Sequence, residues 1–116
     1  MNTYIIKVTH DGKFVREKYD EDDSLGSIQY AVGGYIELLA SNIPEIDGIS
    51  VDIYVDDEGL LKDLPFNPTV SRLSKYGEYI VGDAAIVKVD EETGENTGLT
   101  DDECAIIENY IKRRRK

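Results

Sequence analysis

Few residues in this chain have the types and spacing that chemistry requires. A covalent catalyst needs a nucleophile, a base and a group that orients the base. The chain has one imidazole, His10, and one thiol, Cys104. His10 stands beside an Asp11-Gly12 turn signal. Cys104 falls on the apolar stripe of the last helical segment, where a free cysteine packs as a small hydrophobe. Nothing in the pattern brings the two together. The acidic stretches "DIYVDDEG" and "DEETGEN" have the composition of calcium loops, but neither keeps the ligand order and closing glutamate of an EF-hand. One Cys and one His cannot furnish a zinc site. With 24 Asp and Glu residues in all, close carboxylate pairs arise by chance, so acid–base chemistry leaves no specific signal. No Walker or dinucleotide glycine pattern is present. The reading is of a non-enzyme, with no catalytic residue, no cofactor and no metal.

One stretch remains, "QYAVGGYIELL", from Gln29 to Leu39. Its structural reading is that Gly33 ends a helix in the left-handed conformation that glycine adopts freely. Gly34 then permits close helix–strand packing, and Tyr35 and Glu37 share one face of a strand. Its functional reading is a small cleft lined by Gln29, Tyr35, Glu37 and Asn67, with the backbone of Gly33 and Gly34 open to a ligand. Tyrosine and amide side chains supply an aromatic contact and hydrogen bonds. The glycines precede a strand, so a phosphate there lacks the dipole of a helix N-terminus.

The elements that must position these residues follow from periodicity. "TYIIKVTH", the Asp11-Gly12 turn and "KFVREKY" read as a hairpin. Ser24–Val32 reads as a helix capped by Asp23 or Ser24, with Leu25, Ile28 and Val32 as an apolar stripe widened by Ala31. "YIELLA" reads as a strand and "SNIPEIDG" as a loop. In "ISVDIYV", Ile49, Val51, Ile53 and Val55 alternate with Ser50, Asp52 and Tyr54, the pattern of a half-buried strand. "DDEG" makes a turn, "LLKDLPFNPTV" is irregular, and a short helix opens at Pro68. "GDAAIVKVD" holds a strand and "EETGENTG" a polar loop. Asp101–Lys112 reads as a helix opened by a capping box of Thr100 and Glu103, with Leu99 stapled to Cys104. Cys104, Ile107 and Ile111 form its inner face. These elements predict an α+β domain over 1–116: a mixed or antiparallel sheet of about four to six strands, with both main helices on one face.

Composition bounds the function classes. The chain has 116 residues, 41% of them hydrophobic, and a formal charge of −11. No apolar run approaches the roughly 18 residues of a membrane span. "MNTYIIKVTH" lacks the basic and cleavage regions of a signal peptide, and a single cysteine suits a reducing compartment. A cytoplasmic protein without membrane association is expected. The last five residues, "KRRRK", are all basic, leaving eight basic side chains against 24 acidic ones in residues 1–111, a balance of −16. A body this acidic repels nucleic acid and attracts a basic protein surface. Mimicry of the DNA phosphate array is one form of that attraction. The tail, 112–116, sits where cations stabilise a helix C-terminus. A homodimer is left open.

Several phrases resemble the family called domain of unknown function 3846: "QYAVGGYIELL", "DDEGLLKDLPFNPTV", "IVGDAAIVKVDEETGE" and "LTDDE". The family pattern maps onto Val32-Gly33-Gly34-Tyr35-Ile36-Glu37, Asp57-Glu58-Gly59, Leu64-Pro65-Phe66-Asn67, Gly82 and Leu99-Thr100-Asp101-Asp102. Pro68 stands where the family tends to carry a basic residue. Members occur in phages, plasmids and conjugative elements of bacteria, so the resemblance implies a mobile-element origin and supplies no activity. The expectation is a non-catalytic accessory protein acting by protein binding through its acidic surface. The alternative is a nucleotide or metabolite binder using the cleft near Gly33–Tyr35 and Asn67.

Overall fold

The structure is a computed structural model and describes residues 2–114. Among these residues, seven strands and three helices follow in the order β1 (Tyr4–Val8), β2 (Phe14–Lys18), α1 (Ser24–Val32), β3 (Ile36–Leu39), β4 (Glu45–Ile46), β5 (Ile49–Asp56), α2 (Pro68–Ser71), β6 (Ala84–Val89), β7 (Asn96–Thr97) and α3 (Asp101–Arg114). The strands form one open antiparallel sheet with the main order β2-β1-β6-β5-β3; β4 pairs with β5, and β7 with β6. This is the α+β architecture expected.

The two main helices lie on opposite faces of the sheet, not on one face. The cause is in the central strands. Ile6 and Val8 of β1 and Ala84 and Ile86 of β6 join Val51, Ile53 and Val55 of β5 in a core that also holds Cys104, Ile107 and Ile111 of α3. Their neighbours Ile5, Ala85 and Val87 point the other way, into a second core with Ile28, Ala31 and Val32 of α1. Successive strand side chains alternate faces, so strands such as β1 and β6, with apolar residues on both faces, need cover on both sides.

Local signals set most boundaries. Asp23 caps α1, its carboxylate accepting the Gly26 N–H at 3.0 Å. Gly33 closes it at φ 94°, donating to the Gln29 carbonyl. Leu25, expected in the buried stripe, is exposed; Ile28, Ala31 and Val32 carry the contact. The Thr100 N–H donates to the Glu103 carboxylate at 3.0 Å and the Glu103 N–H to Thr100 Oγ1 at 3.2 Å, the reciprocal capping box. Leu99 and Cys104 are buried in one cluster, as the staple requires. "SNIPEIDG" contains more than a loop. Asp47 and Gly48 both have positive φ, and they turn β4 back onto β5, burying Ile43 and Ile46. β7 likewise emerges from the polar "EETGENTG" stretch, pairing Thr97 with Lys88 and Asn96 with Val89. Asn96 is fixed there by side-chain bonds: its Oδ1 accepts from the Tyr54 hydroxyl at 2.7 Å and its Nδ2 donates to Asp52 at 2.9 Å.

Candidate functional site

Antiparallel pairing gathers the distinctive residues at one end of the sheet. β1 ends where β6 begins, Val8 facing Ala84, and β5 ends where β3 begins, Asp56 facing Ile36. The hairpin turn after β1, the end of α1, the loop after β5 and the segment before β6 therefore meet there. Four of the five motif segments quoted above lie at this end, and the fifth opens α3.

Asp56 and Lys62 form its centre. Asp56 ends β5 with its side chain buried, and Lys62 Nζ donates to its Oδ2 at 2.7 Å. Asp56 Oδ1 accepts the Glu58 N–H at 2.8 Å. A helical turn, Lys62 N–H to Glu58 carbonyl at 3.0 Å, returns Lys62 over Asp56. The side-chain hydrogen bond to Asp56 is the leading cause of the raised Lys62 pKa. Gly34 makes the arrangement fit, because a Cβ there would meet Lys62 Nζ and lie 2.9 Å from Asp56 Oδ2. The close approach at Gly34 thus serves an ion pair rather than helix–strand packing.

Three depressions border this pair, with Asp56, Glu58 and Lys62 as walls that two of them share. The first, about 570 Å³, is walled by Tyr30 and Tyr35 with Gln29, Gly34, Glu58 and Lys62. The tyrosines stand 78% and 68% exposed. Among the described residues the Gln29 amide and both hydroxyls make no hydrogen bond. The second, about 400 Å³, holds Glu37, Asp57, Glu58, Glu78, Leu60 and Tyr79. Asp57 shares a hydrogen bond with Glu37, and this, followed by burial and the negative charges of Asp57 and Glu78, raises the Glu37 pKa. The third, about 360 Å³, lies between His10, Gly33, Lys62, Pro65 and Asp83. There the His10 N–H donates to Asp83 at 3.0 Å, while His10 Nδ1 is buried with no hydrogen-bond partner among the described residues.

The structure thus brings Gln29, Gly34 and Tyr35 to one groove, with Gly33 and Glu37 in its two neighbours. It does not bring Asn67. That residue is fully buried, and its amide is engaged on every side. Nδ2 donates to the carbonyls of Val8 at 3.2 Å and Gly82 at 2.9 Å, and Oδ1 accepts the Val70 N–H at 3.0 Å. Asn67 caps α2 and ties three segments together, so the expectation that it lines the cleft is corrected. Sequence reasoning missed Tyr30, Glu58 and Lys62. The "DDEG" turn placed Glu58 in a loop; the turn that returns Lys62 to Asp56 has no pattern of its own.

The cleft's chemistry is aromatic and acidic. Its first two depressions are lined by five carboxylates, Glu37, Asp56, Asp57, Glu58 and Glu78, and by one cation, Lys62, already held by Asp56. Cys104 lies elsewhere, in the core beneath α3, where burial pushes its thiol up to about 11. Among the described residues no three His, Cys, Asp or Glu side chains converge as metal ligands, and no helix is long and apolar enough to cross a membrane.

Fold and site together define an α+β domain with an open tyrosine- and carboxylate-lined cleft at one sheet end. A family described as Domain of unknown function (DUF3846) matches residues 1–114, and the chain belongs to it. No curated protein matches the chain. No solved structure matches it either.

Proposed function

We propose that this chain is a non-catalytic, cytoplasmic accessory protein of a bacterial mobile element or phage that docks a basic segment of a partner protein in this cleft. The observation that carries the reading is that the tyrosine-walled groove and the carboxylate-lined depression share Glu58 as a common wall. A lysine or arginine side chain is attracted to a tyrosine face, by about 0.5–2 kcal/mol according to exposure. Its charge then meets carboxylates that no cation among the described residues neutralises, apart from the one at Asp56. Exposed Leu60, Leu61 and Tyr79 supply the apolar contact that charge alone lacks.

The alternative, a small planar ligand such as a nucleotide, draws support from the unpartnered Gln29 amide between two tyrosines. Charge decides against the phosphorylated form: the one cation lining the groove is taken by Asp56. A thermal-shift screen separates the readings, since a true small ligand raises the melting temperature by mass action.

Calorimetric titration of an arginine-rich peptide at about 50 mM and about 0.5 M salt tests the docking. The affinity is expected to fall at least about tenfold as screening shortens the reach of the carboxylates. Equal affinity at both salts contradicts the proposal. Flanking genes of a phage, plasmid or conjugative element support the assigned origin, and a chromosomal housekeeping operon opposes it.

A further inference from the structure

The acidic body leaves one pole of its own uncompensated. Lys7, Lys13, Arg16, Lys62 and Lys88 each have a carboxylate within 4.0 Å. Lys112, Arg113 and Arg114, at the end of α3, have none among the described residues, and neither does Arg72 beside them. Arg72 and Arg114 line one small depression with Thr69 and Ile111. Lys112 instead rests over the Phe14 ring at 5.5 Å, and Arg114 over Tyr110 at 5.6 Å. Arg115 and Lys116 follow in the sequence and lie outside the described residues. The negative end of the helix dipole, roughly half a charge, offsets only part of it. The molecule therefore carries an exposed cationic pole whose residues already favour aromatic faces, and an exposed cleft of tyrosines and carboxylates with no cation to spare.

We infer that the basic end of α3 of one copy docks in the tyrosine–carboxylate cleft of a second copy. This rests on the reading that the cleft accepts cationic side chains, and commits it to an occupant the chain itself supplies. Charge complementarity favours this occupant over nucleic acid, whose phosphates the −16 balance of residues 1–111 repels. A partner's basic segment then competes with the tail of a neighbouring copy, so the fraction of open clefts falls as the protein becomes concentrated.

The test is the solution mass of the full chain, by light scattering or sedimentation, at about 50 mM and about 0.5 M salt. At low salt the mass is expected to rise above one chain with concentration, since each head-to-tail contact leaves one cleft and one basic pole free, and at high salt to return to one. Arg113→Glu/Arg114→Glu and Glu58→Lys/Glu78→Lys are each expected to stay single. An equimolar mixture of the two is expected to associate at low salt, because the unaltered tail of the Glu58→Lys/Glu78→Lys variant meets the unaltered cleft of the Arg113→Glu/Arg114→Glu variant; circular dichroism checks that both variants keep the wild-type fold. A wild-type mass of one chain at low salt, or folded variants that associate as wild type does, overturns the inference. Binding of an arginine-rich peptide by a chain that remains monomeric also overturns it, while leaving the cleft's reading intact. A monomeric wild type that shifts a labelled DNA duplex through Arg113 and Arg114 overturns it in favour of a phosphate-binding tail.

Discussion

At the scale of single residues, three positions carry most of the account. Asn67 satisfies two carbonyls and one N–H inside the core. Asn67→Ala strands these groups and removes a helix cap, and should cost about 3 kcal/mol, read as a lower urea midpoint at constant m. Gly33 has φ 94°, and nothing lies within 4 Å of the place a Cβ would take, so Gly33→Ala should cost only backbone strain, about 1 kcal/mol. Glu37 has a pKa raised first by its hydrogen bond with Asp57. A carboxyl whose pKa rises on folding adds stability below its unfolded value and loses it as pH rises through its folded value. Asp57→Asn should therefore gain stability relative to wild type as pH rises above 4.5, the ordinary glutamate value; melting temperatures across that range check it, and a constant difference would exclude the shared proton. Part of this site was legible. Gly33 announced a helix end, and Gln29, Gly34 and Tyr35 do share a groove. Asn67 was misplaced because an amide that caps a helix and one that binds a ligand look alike in sequence. Lys62 was invisible because its role depends on a six-residue return to Asp56.

At the scale of elements, α3 shows how local signals and distant partners combine. Glu103 closes the capping box and also accepts Lys88 Nζ at 2.7 Å. Burial raises its pKa, but the Lys88 hydrogen bond and the Thr100 N–H outweigh this and leave it lowered. A depressed carboxyl stabilises above its unfolded value and loses that contribution as pH falls through its folded value. Glu103→Ala should lose about 1 kcal/mol through the cap. Glu103→Gln keeps the capping geometry, so it should lose only the part that disappears on acidification below 4.5. Denaturant midpoints at neutral and acidic pH separate the two. The helix and its cap were readable because every contact involved is local. The same holds for β5, whose alternation is clean, and for the β1–β2 hairpin, whose Asp11-Gly12 turn is local. The opposed placement of α1 and α3 was less visible, although "YIIKV" and "AAIVKV" carry apolar residues on both strand faces. The two-residue strands β4 and β7 were missed because pairing across a turn, not propensity, makes them.

At the scale of the whole molecule, uneven charge meets a fold that concentrates loops at one sheet end. Acidic residues also crowd a second surface, the depression containing Asp90, Glu91 and Glu92 beside β6, which has no tyrosine. The two surfaces separate net charge from a built cleft. Amide chemical-shift mapping of the labelled protein with an arginine-rich peptide is the most direct test. We expect shifts concentrated at Gln29, Gly34, Tyr35, Glu58 and Lys62, weakened by Tyr30→Ala/Tyr35→Ala and abolished by high salt. Shifts spread evenly over both acidic surfaces, or centred on Asp90–Glu92, would contradict the central claim that this cleft recognises basic segments.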